Sequence, residues 1–268
     1  MFILLTGNHP RHLYFVKSLS KTYKDITWIH EKREPFKPKI DKNYNFEIQK
    51  LQKLHFNKRE EAENTFFGDN EIVFNSPNIN QIIEITKDDI FNGKLKKILL
   101  SQKNKNLITY GCSKLPSNIV KLISGYKWNV HGGLSPWYRG VITHFWPSYM
   151  LEPEYTGVTL HELTEDIDGG DIIHQTVAEI NIKDGIHENA CRLVKNFSDK
   201  LPKLIKKKLL KKKLLPIKSN TTGRIWTGRM WSPIHLKLIY KVYNDKINKY
   251  CIENKKIKKP KIKSILIK

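Results

Sequence analysis

The sequence predicts an α/β fold in which an open, mostly parallel sheet carries helices on both faces, followed by a small C-terminal region. Over the first 215 residues, short apolar runs of strand length alternate with segments whose apolar residues recur at helical spacing. The chain opens as strand, turn and helix, an order typical of doubly wound, Rossmann-like sheets. Asn129 and His131 end a predicted strand, which is where ligands bind in such sheets.

The predicted elements of the first half start with a buried strand at 2–6. Pro10 follows, and the helical spacing of Leu13, Val16 and Leu19 predicts the first helix. The next elements are predicted as a strand at 26–29, a loop at 31–43 with Pro35 and Pro38, one or two helices over 47–67, a strand at 72–74, a helix at 81–90 and a strand at 98–100.

The second half is predicted to continue the alternation. Strands are expected at 107–110, 128–131, 156–164 and 172–180, and helices at 116–123, 141–150 and 186–210. Pro147 and Pro202 should kink or end the helices that contain them. Pro216 and the polar run that ends at Gly223 indicate a boundary, so we expect one domain at 1–215 and a basic C-terminal region at 216–268.

Composition narrows the class of protein. The 268 residues are 39% hydrophobic, which suits a sizeable core, and no apolar run approaches the length of a membrane span. Cys112, Cys191 and Cys251 are widely spaced, so we expect a reducing, cytoplasmic compartment, no disulfide framework and no metal. The net charge of +22 has two explanations that stay open: affinity for phosphates or nucleic acid, or biased codon use in a chain rich in Lys, Ile and Asn.

One stretch carries the side chains that acyl transfer to an amine requires. Asn129 and His131 are two residues apart on a predicted strand, so both side chains emerge on the same face. An amide can donate to a tetrahedral oxyanion, an imidazole can collect the proton of the amine, and the later Asp168 can orient that imidazole. Each residue alone is more often structural, but their joint occurrence favours catalysis.

These motifs resemble the signature of formyltransferases that use 10-formyltetrahydrofolate, which reads N-x-H-x-x-L-x-P-x-x-x-G followed by a later D-x-G. The chain reads Asn129-Val-His131-Gly-Gly-Leu-Ser-Pro-Trp-Tyr-Arg-Gly140 and then Asp168-Gly-Gly170. The resemblance covers roughly residues 1–200. It implies an N-formyltransferase with catalytic Asn129, His131 and Asp168 and with 10-formyltetrahydrofolate as cosubstrate.

The resemblance also implies where the pterin ring of the folate binds. The segment from Tyr110 to Pro116 is similar to the family segment upstream of the catalytic strand, and a second loop corresponds to the one that closes over the ring. The implied contacts come from Ser113, Lys114, Leu115, Leu163, Thr164, Asp166 and Asp168. Backbone groups alone can bind a pterin, so for Ser113 and Lys114 an ordinary exposed loop is an equal alternative.

The acceptor implied by the resemblance is a deoxyamino sugar linked to dTDP or GDP, as used for surface polysaccharide such as O-antigen. His-Gly-Gly-Leu-Ser-Pro at 131–136 looks like the sugar N-formyltransferases, whereas the tRNA and purine enzymes usually have His-Pro-Ser-Leu-Leu-Pro. The residues that would contact this acceptor are Trp137, Tyr138, Arg139 and Trp146, and packing against the sheet is the alternative for each.

Two other functions stay open. The lysine runs at 206–208 and 211–213 and the Lys-rich end at 255–268 would suit tRNA, which makes methionyl-tRNA formyltransferase the alternative enzyme. Leucines among the lysines at 204–215 would suit a non-catalytic nucleic-acid or membrane-surface binder, although the intact catalytic residues argue against it. Apolar residues at 226–240 would suit a homodimer face or a second core.

Overall fold

The computed structural model of the chain describes residues 2–33, 39–40, 42–68, 71–209, 214–219 and 223–267. Pro35 and Pro38 of the predicted loop and the predicted lysine run at 211–213 lie outside these residues. No helix in the described part of the chain combines the length and the apolar character needed to cross a membrane.

A seven-stranded sheet forms the centre of the described structure, in the order β3-β2-β1-β4-β5-β7-β8. The strands are β1 (Ile3–Gly7), β2 (Ile26–Glu31), β3 (Ile79–Ile85), β4 (Leu107–Tyr110), β5 (Lys127–His131), β7 (Gly157–Glu162) and β8 (Ile172–Val177). The pairings from β3 to β5 are parallel, whereas β7 pairs antiparallel with both β5 and β8. The open, mostly parallel sheet predicted from the sequence is therefore confirmed.

Helices cover both faces of this sheet. They are α1 (Pro10–Ser20), α2 (Phe46–Phe67), α3 (Lys87–Phe91), α4 (Lys94–Ser101), α5 (Ser117–Val120), α6 (Trp146–Tyr149), α7 (Ile186–Leu209) and α8 (Ile247–Glu253). Side chains of α1, α2 and α7 share one buried cluster with Leu4 and Trp28, while those of α3, α4 and α5 share another with Ile3 and Leu5. Successive residues of β1 thus point to opposite faces, as the strand period requires.

The C-terminal residues pack against the rest of the chain in a third buried cluster. Two short strands, β6 (Arg139–Gly140) and β9 (Ile225–Trp226), pair in parallel, and a π-helical turn spans Lys237–Val242. From this region Trp226, Leu236, Ile239, Tyr240 and Cys251 are buried together with Ile48 and Leu51 of α2. The division of the chain at residues 215 and 216 stays a prediction.

Three predicted elements are wrong. Residues 72–74, predicted as a strand, lie in the 3-10 helix Glu71–Asn75, and the predicted helix at 81–90 is strand β3 followed by α3. The predicted strand at 98–100 belongs to α4, whose buried residues Leu95 and Leu99 are four apart and lie on one helix face. Short apolar runs do not by themselves distinguish a buried strand from one face of a helix.

Pro147 also acts differently from the prediction. The helix expected at 141–150 is reduced to α6, where Pro147 lies in the first turn and so starts the helix instead of ending it. Helix α7 runs through Pro202 without division. The predicted helix at 47–67 forms one element, α2, whose N-cap Asn45 accepts a hydrogen bond from the Ile48 amide.

Candidate active site

A cleft of about 800 Å³ opens where β1, β4 and β5 end. The strand order runs outward from β1 through β2 to β3 on one side and through β4 to β5 on the other, so the cleft lies at the switch point of the sheet. Asn129, His131 and Asp168 all line this cleft. The structure therefore brings together the three residues that the paired motifs single out.

His131 is buried at the end of β5 and both of its ring nitrogens face acceptor atoms. Nε2 lies 2.8 Å from the carbonyl oxygen of Tyr138, which only accepts, so Nε2 carries a proton and donates it. Nδ1 lies 3.3 Å from Asp168 Oδ2. Burial lowers the pKa of His131 below its ordinary value, while Asp168 and the Tyr138 carbonyl oppose that shift. The neutral ring therefore presents the lone pair of Nδ1 beside the carboxylate.

Asp168 is held in the left-handed region of the backbone, with φ 47°, on the loop between β7 and β8. Its Oδ2 accepts a hydrogen bond of 2.9 Å from the Gly140 amide. Burial opposes its ionisation, but His131, the His161 ring 3.6 Å away and the Gly140 amide outweigh burial and lower the pKa of the carboxyl to about 2. Asp168 is thus an anion at neutral pH, placed to stabilise a protonated His131.

His161 joins this group, although the sequence analysis gave it no role. It lies opposite Asn129 in the β5–β7 pairing, and its Nε2 is 3.1 Å from Asn129 Nδ2 and 3.6 Å from Asp168 Oδ1. Its Nδ1 is 2.7 Å from the Glu162 carbonyl and donates to it. In the neutral ring Nε2 therefore accepts from the Asn129 amide. Strand pairing is the signal that would have identified this residue.

The Asn129 side chain is oriented from both ends. Its Oδ1 accepts a 2.7 Å hydrogen bond from the Thr109 hydroxyl on the neighbouring strand β4, so the amide nitrogen must face His161 and Asp168. One N–H of this nitrogen is directed at His161, and the other meets Asp168 Oδ1 at a long 3.4 Å. The second N–H is the one that an oxyanion in the cleft can recruit.

The loop after β4 forms one arm of the cleft. Ser113 and Lys114 line it, and the Ser113 amide and hydroxyl both donate to the Glu31 carboxylate at 2.6 Å. Leu115 is buried in the cluster that contains side chains of α3, α4 and α5, and Leu163 packs against that cluster. Thr164 and Asp166 are exposed on the loop after β7 and do not line the cleft. The folate-binding roles of all six residues stay a prediction.

The four residues predicted to contact the acceptor do not line the cleft. Trp146 stacks on Trp226 with centroids 4.6 Å apart, and Tyr138 stacks on the same ring at 5.7 Å. The Arg139 guanidinium donates to the Ile167 carbonyl, and Trp137 makes an edge contact with a tyrosine. These side chains pack against neighbouring residues, and their contacts with the acceptor stay a prediction.

Side chains of α1, α2 and α7 line the second arm of the cleft, opposite the arm formed by the loop after β4. Arg11 and Arg59 both contact the carboxylate of Glu63, and His9 Nδ1 lies 2.8 Å from its other oxygen. Burial opposes ionisation of Glu63, but Arg11, His9 and Arg59 lower its pKa far below the ordinary value. Two guanidiniums thus contact one carboxylate on this arm. These helices are distant in sequence, so no local motif indicated the cluster.

The chain and its fold correspond to a known family. The sequence profile described as Formyl transferase matches residues 57–205, more than half of the chain, and the chain therefore belongs to that family. Methionyl-tRNA formyltransferase of Buchnera aphidicola subsp. Acyrthosiphon pisum is 28% identical over 124 residues, which are 46% of this chain. The matched part spans 38% of the length of that curated relative.

Solved structures of the same fold include two N-formyltransferases. A 4-N formyltransferase from Francisella tularensis superimposes with a TM-score of 0.54 at 20% identity, covering 85% of this chain and 76% of the other. An N-formyltransferase from Helicobacter canadensis, solved with folinic acid and dTDP-3-aminofucose, gives a TM-score of 0.57 at 18% identity and covers 90% and 81%. At these identities the likeness establishes the fold.

Proposed function

We propose that the protein transfers a formyl group from 10-formyltetrahydrofolate to the amine of a nucleotide-linked deoxyamino sugar. The observation that carries this proposal is the cluster of Asn129, His131 and Asp168 on the floor of a two-armed cleft in a chain of the formyl transferase family. The Helicobacter canadensis structure, solved with folinic acid and dTDP-3-aminofucose, supports both the donor and the acceptor class.

The transfer starts when the neutral amine attacks the formyl carbon. The new carbon–nitrogen bond creates a tetrahedral oxyanion, which the N–H of Asn129 stabilises. His131 Nδ1 takes the proton from the amine nitrogen, and Asp168 at 3.3 Å stabilises the resulting imidazolium. The bond from the carbon to N10 of the folate then breaks, N10 takes the proton back from the His131 imidazolium, and the products are a formamide, tetrahydrofolate and neutral His131.

The two arms of the cleft suit the two substrates. The arm beside Ser113 and Lys114 would bind the folate, and the opposite arm would bind the acceptor. Arg11 and Arg59, which both contact Glu63, place two guanidiniums on the acceptor arm, and guanidiniums suit the binding of a diphosphate. In the same proposal the enzyme is cytoplasmic, its product enters a surface polysaccharide such as O-antigen, and neither metal nor nucleic acid takes part.

The proposal is tested by following consumption of 10-formyltetrahydrofolate spectroscopically against dTDP-, UDP- and GDP-linked amino sugars. Initiator methionyl-tRNA belongs in the same panel, because the curated relatives matched by sequence are methionyl-tRNA formyltransferases. We expect turnover with one sugar nucleotide. Turnover with tRNA alone would replace the proposed acceptor and make the basic C-terminal region a binding site for nucleic acid. Size-exclusion chromatography will show whether a homodimer forms.

Alanine variants test the catalytic assignments. His131→Ala and Asp168→Ala should each lower kcat roughly 100-fold or more, because the proton acceptor or its counter-ion is lost. Asn129→Ala should lower kcat with little change in folate affinity. Glu165→Ala is the matched control, since Glu165 is an exposed acid on the loop of Asp168. Full activity of His131→Ala or Asp168→Ala would contradict the mechanism.

A further inference from the structure

Two histidines at the far end of the acceptor arm contact each other through their rings. His55 on α2 and His187 on α7 both line the cleft, and only 6% and 9% of their surfaces are exposed. His55 Nδ1 lies 3.2 Å from His187 Nε2 and 3.0 Å from the hydroxyl of Tyr240. Each ring has one further nitrogen, Nε2 of His55 and Nδ1 of His187. In the described part of the chain, neither of these nitrogens has a hydrogen-bond partner.

Proton counting defines what this histidine pair offers to a ligand. When one ring donates to the other across the 3.2 Å between His55 Nδ1 and His187 Nε2, one proton lies between them, and the Tyr240 hydroxyl faces the same two nitrogens at 3.0 Å and 3.5 Å. A neutral imidazole carries one N–H. Whichever ring supplies the shared proton, the remaining nitrogens are therefore one donor and one acceptor, side by side.

Both rings are neutral at physiological pH. Burial, and to a lesser extent Arg59, lowers the pKa of His55 to about 3. Burial likewise lowers the pKa of His187 well below its ordinary value, with His55 and Arg59 acting in the same direction. The pair therefore presents hydrogen-bonding groups without charge, in contrast to the guanidiniums beside it.

The surroundings of the pair suit a flat ring. Trp231, from the C-terminal region, lies 6.1 Å from His55 with its ring tilted by only 34°, and Phe56 meets Trp231 edge-on at 6.1 Å. Phe145 completes the aromatic wall, with its ring 5.8 Å from His55. Aromatic faces with a donor and an acceptor at one edge are what a heterocyclic base requires.

The position of the pair along the cleft selects the part of the acceptor that it meets. From the catalytic end, the His144 ring lies against Gly132 and its Nδ1 is 3.4 Å from Arg11 Nη1. Arg11 shares Glu63 with Arg59, and Arg59 lies one helical turn from His55 on α2. Contacts through His144 and Arg11 thus connect the formyl-transfer centre to the guanidiniums and to the histidine pair. In a nucleotide-linked sugar the same order is amine, hexose, diphosphate and base.

We propose that His55 and His187 bind the nucleobase of the acceptor through one donated and one accepted hydrogen bond. This inference rests on the proposed function for the identity of the acceptor, and it assigns recognition of the nucleotide to the far end of the cleft. Trp231 supplies one aromatic wall for the base, which gives the C-terminal region a part in acceptor binding. Tyr240 is a positioning residue that holds the His55 ring.

The test measures binding of nucleoside diphosphates to the full chain by isothermal titration calorimetry. The probes are dTDP, UDP and GDP, with inorganic pyrophosphate as the ligand that lacks a base. His55→Phe and His187→Phe keep a flat ring but leave one polar atom of the base unpaired, so each should weaken the best nucleoside diphosphate about 10- to 100-fold. Pyrophosphate affinity should stay the same in both variants.

The matched control is His174→Phe, because His174 is another buried histidine with a pKa lowered by burial, to about 4, and it lies outside the cleft. It should bind nucleoside diphosphates as the wild type does. Circular dichroism and folate binding identify a variant that fails to fold, and Tyr240→Phe, which removes one hydroxyl only, then serves as the further variant, with an expected loss of a few-fold.

The outcomes separate this inference from the proposed function. Unchanged nucleoside diphosphate affinity in folded His55→Phe and His187→Phe would overturn the inference even if the wild type formylates a sugar nucleotide. Wild-type protein that binds none of the three nucleoside diphosphates would also overturn it. If the base is bound through His55 and His187 but no amino sugar is formylated, the inference is supported and the proposed acceptor sugar is contradicted.

Discussion

Gly133 determines how closely His131 can approach its hydrogen-bond acceptor. A Cβ at residue 133 would lie 2.2 Å from the Tyr138 carbonyl oxygen and 2.3 Å from His131 Nε2, the two atoms of one hydrogen bond. Real Cβ atoms do not approach other atoms so closely. Glycine at residue 133 is therefore required by the geometry of this site.

Gly133→Ala should lower kcat at least about tenfold, because the methyl group displaces His131 from the position that Asp168 stabilises. Folate affinity should change little, since the residues of the other arm are untouched. Gly228→Ala is the control, because no atom lies within 4 Å of a Cβ placed there. Wild-type kcat in Gly133→Ala would mean that the His131–Tyr138 hydrogen bond does not position the base.

The pH dependence of the reaction reports the protonation of His131. Only neutral His131 can accept a proton, so activity should fall as the pH decreases through its pKa, which burial lowers below 6.5 and Asp168 partly restores. Asp168→Asn removes the charge that raises this pKa. The acidic limb of kcat/KM should therefore move to lower pH, with a reduced plateau.

Protonation of the substrate amine supplies an internal control in the same profile. The amine must also be neutral to attack, so its protonation likewise lowers activity as the pH falls, and this second step should not move in Asp168→Asn. A shift of the acidic limb to higher pH would show that Asp168 does not stabilise the imidazolium of His131.

At the scale of elements, Glu63 ties α2 to the start of α1. Its carboxylate is buried and accepts from Arg11 and Arg59. Its folded pKa lies below the unfolded value of 4.5, so its contribution to stability is present above pH 4.5 and is lost as the pH falls through the folded pKa. The cluster therefore shapes the acceptor arm and also stabilises the contact between the helices.

Glu63→Gln should lower the free energy of unfolding at pH 7 by about 3 kcal/mol, because two guanidiniums lose their counter-ion. Chemical denaturation at several pH values measures this, and the difference from wild type should shrink below pH 4.5. The control is Glu61→Gln, an exposed acid on the same helix, with an expected change within about 0.5 kcal/mol. A difference that does not depend on pH would show that the charge of Glu63 contributes little.

The sequence predicted the elements whose apolar pattern is long or unambiguous, such as β1, α1 and β5. It did not predict edge strand β3, because Ile79–Ile85 alternates poorly and is only half-buried. Asn129, His131 and Asp168 were predictable because a chemical requirement fixes their types and order. The roles of Arg11, His55 and His187 could not be predicted. These residues come together only through the packing of α1, α2 and α7, and their spacing in the sequence does not indicate that contact.

At the scale of the whole molecule, the end of the chain supports the active site through β8. The Ile265 amide donates to the Ile173 carbonyl, and the Lys263 amide donates to Gln175 Oε1 at 2.9 Å. Gln175 Nε2 donates in turn to the Ser135 carbonyl, and the Ser135 hydroxyl donates to the backbone carbonyl of Asp168. A continuous chain of hydrogen bonds thus joins residues 263–265 to the loop that carries the catalytic carboxylate.

Leu266 anchors this end of the chain, because it is buried in the cluster of α1, α2 and α7, with an exposed fraction of only 2%. Leu266→Ala should lower the free energy of unfolding by about 2–4 kcal/mol through lost burial and a residual cavity. The adjacent Ile267 is 64% exposed, so Ile267→Ala should change stability by less than about 0.5 kcal/mol. Chemical denaturation measures the free energy of unfolding of both variants. Equal losses in the two variants would show that the last residues do not pack against the rest of the chain. These residues would then not support the Asp168 loop through Gln175.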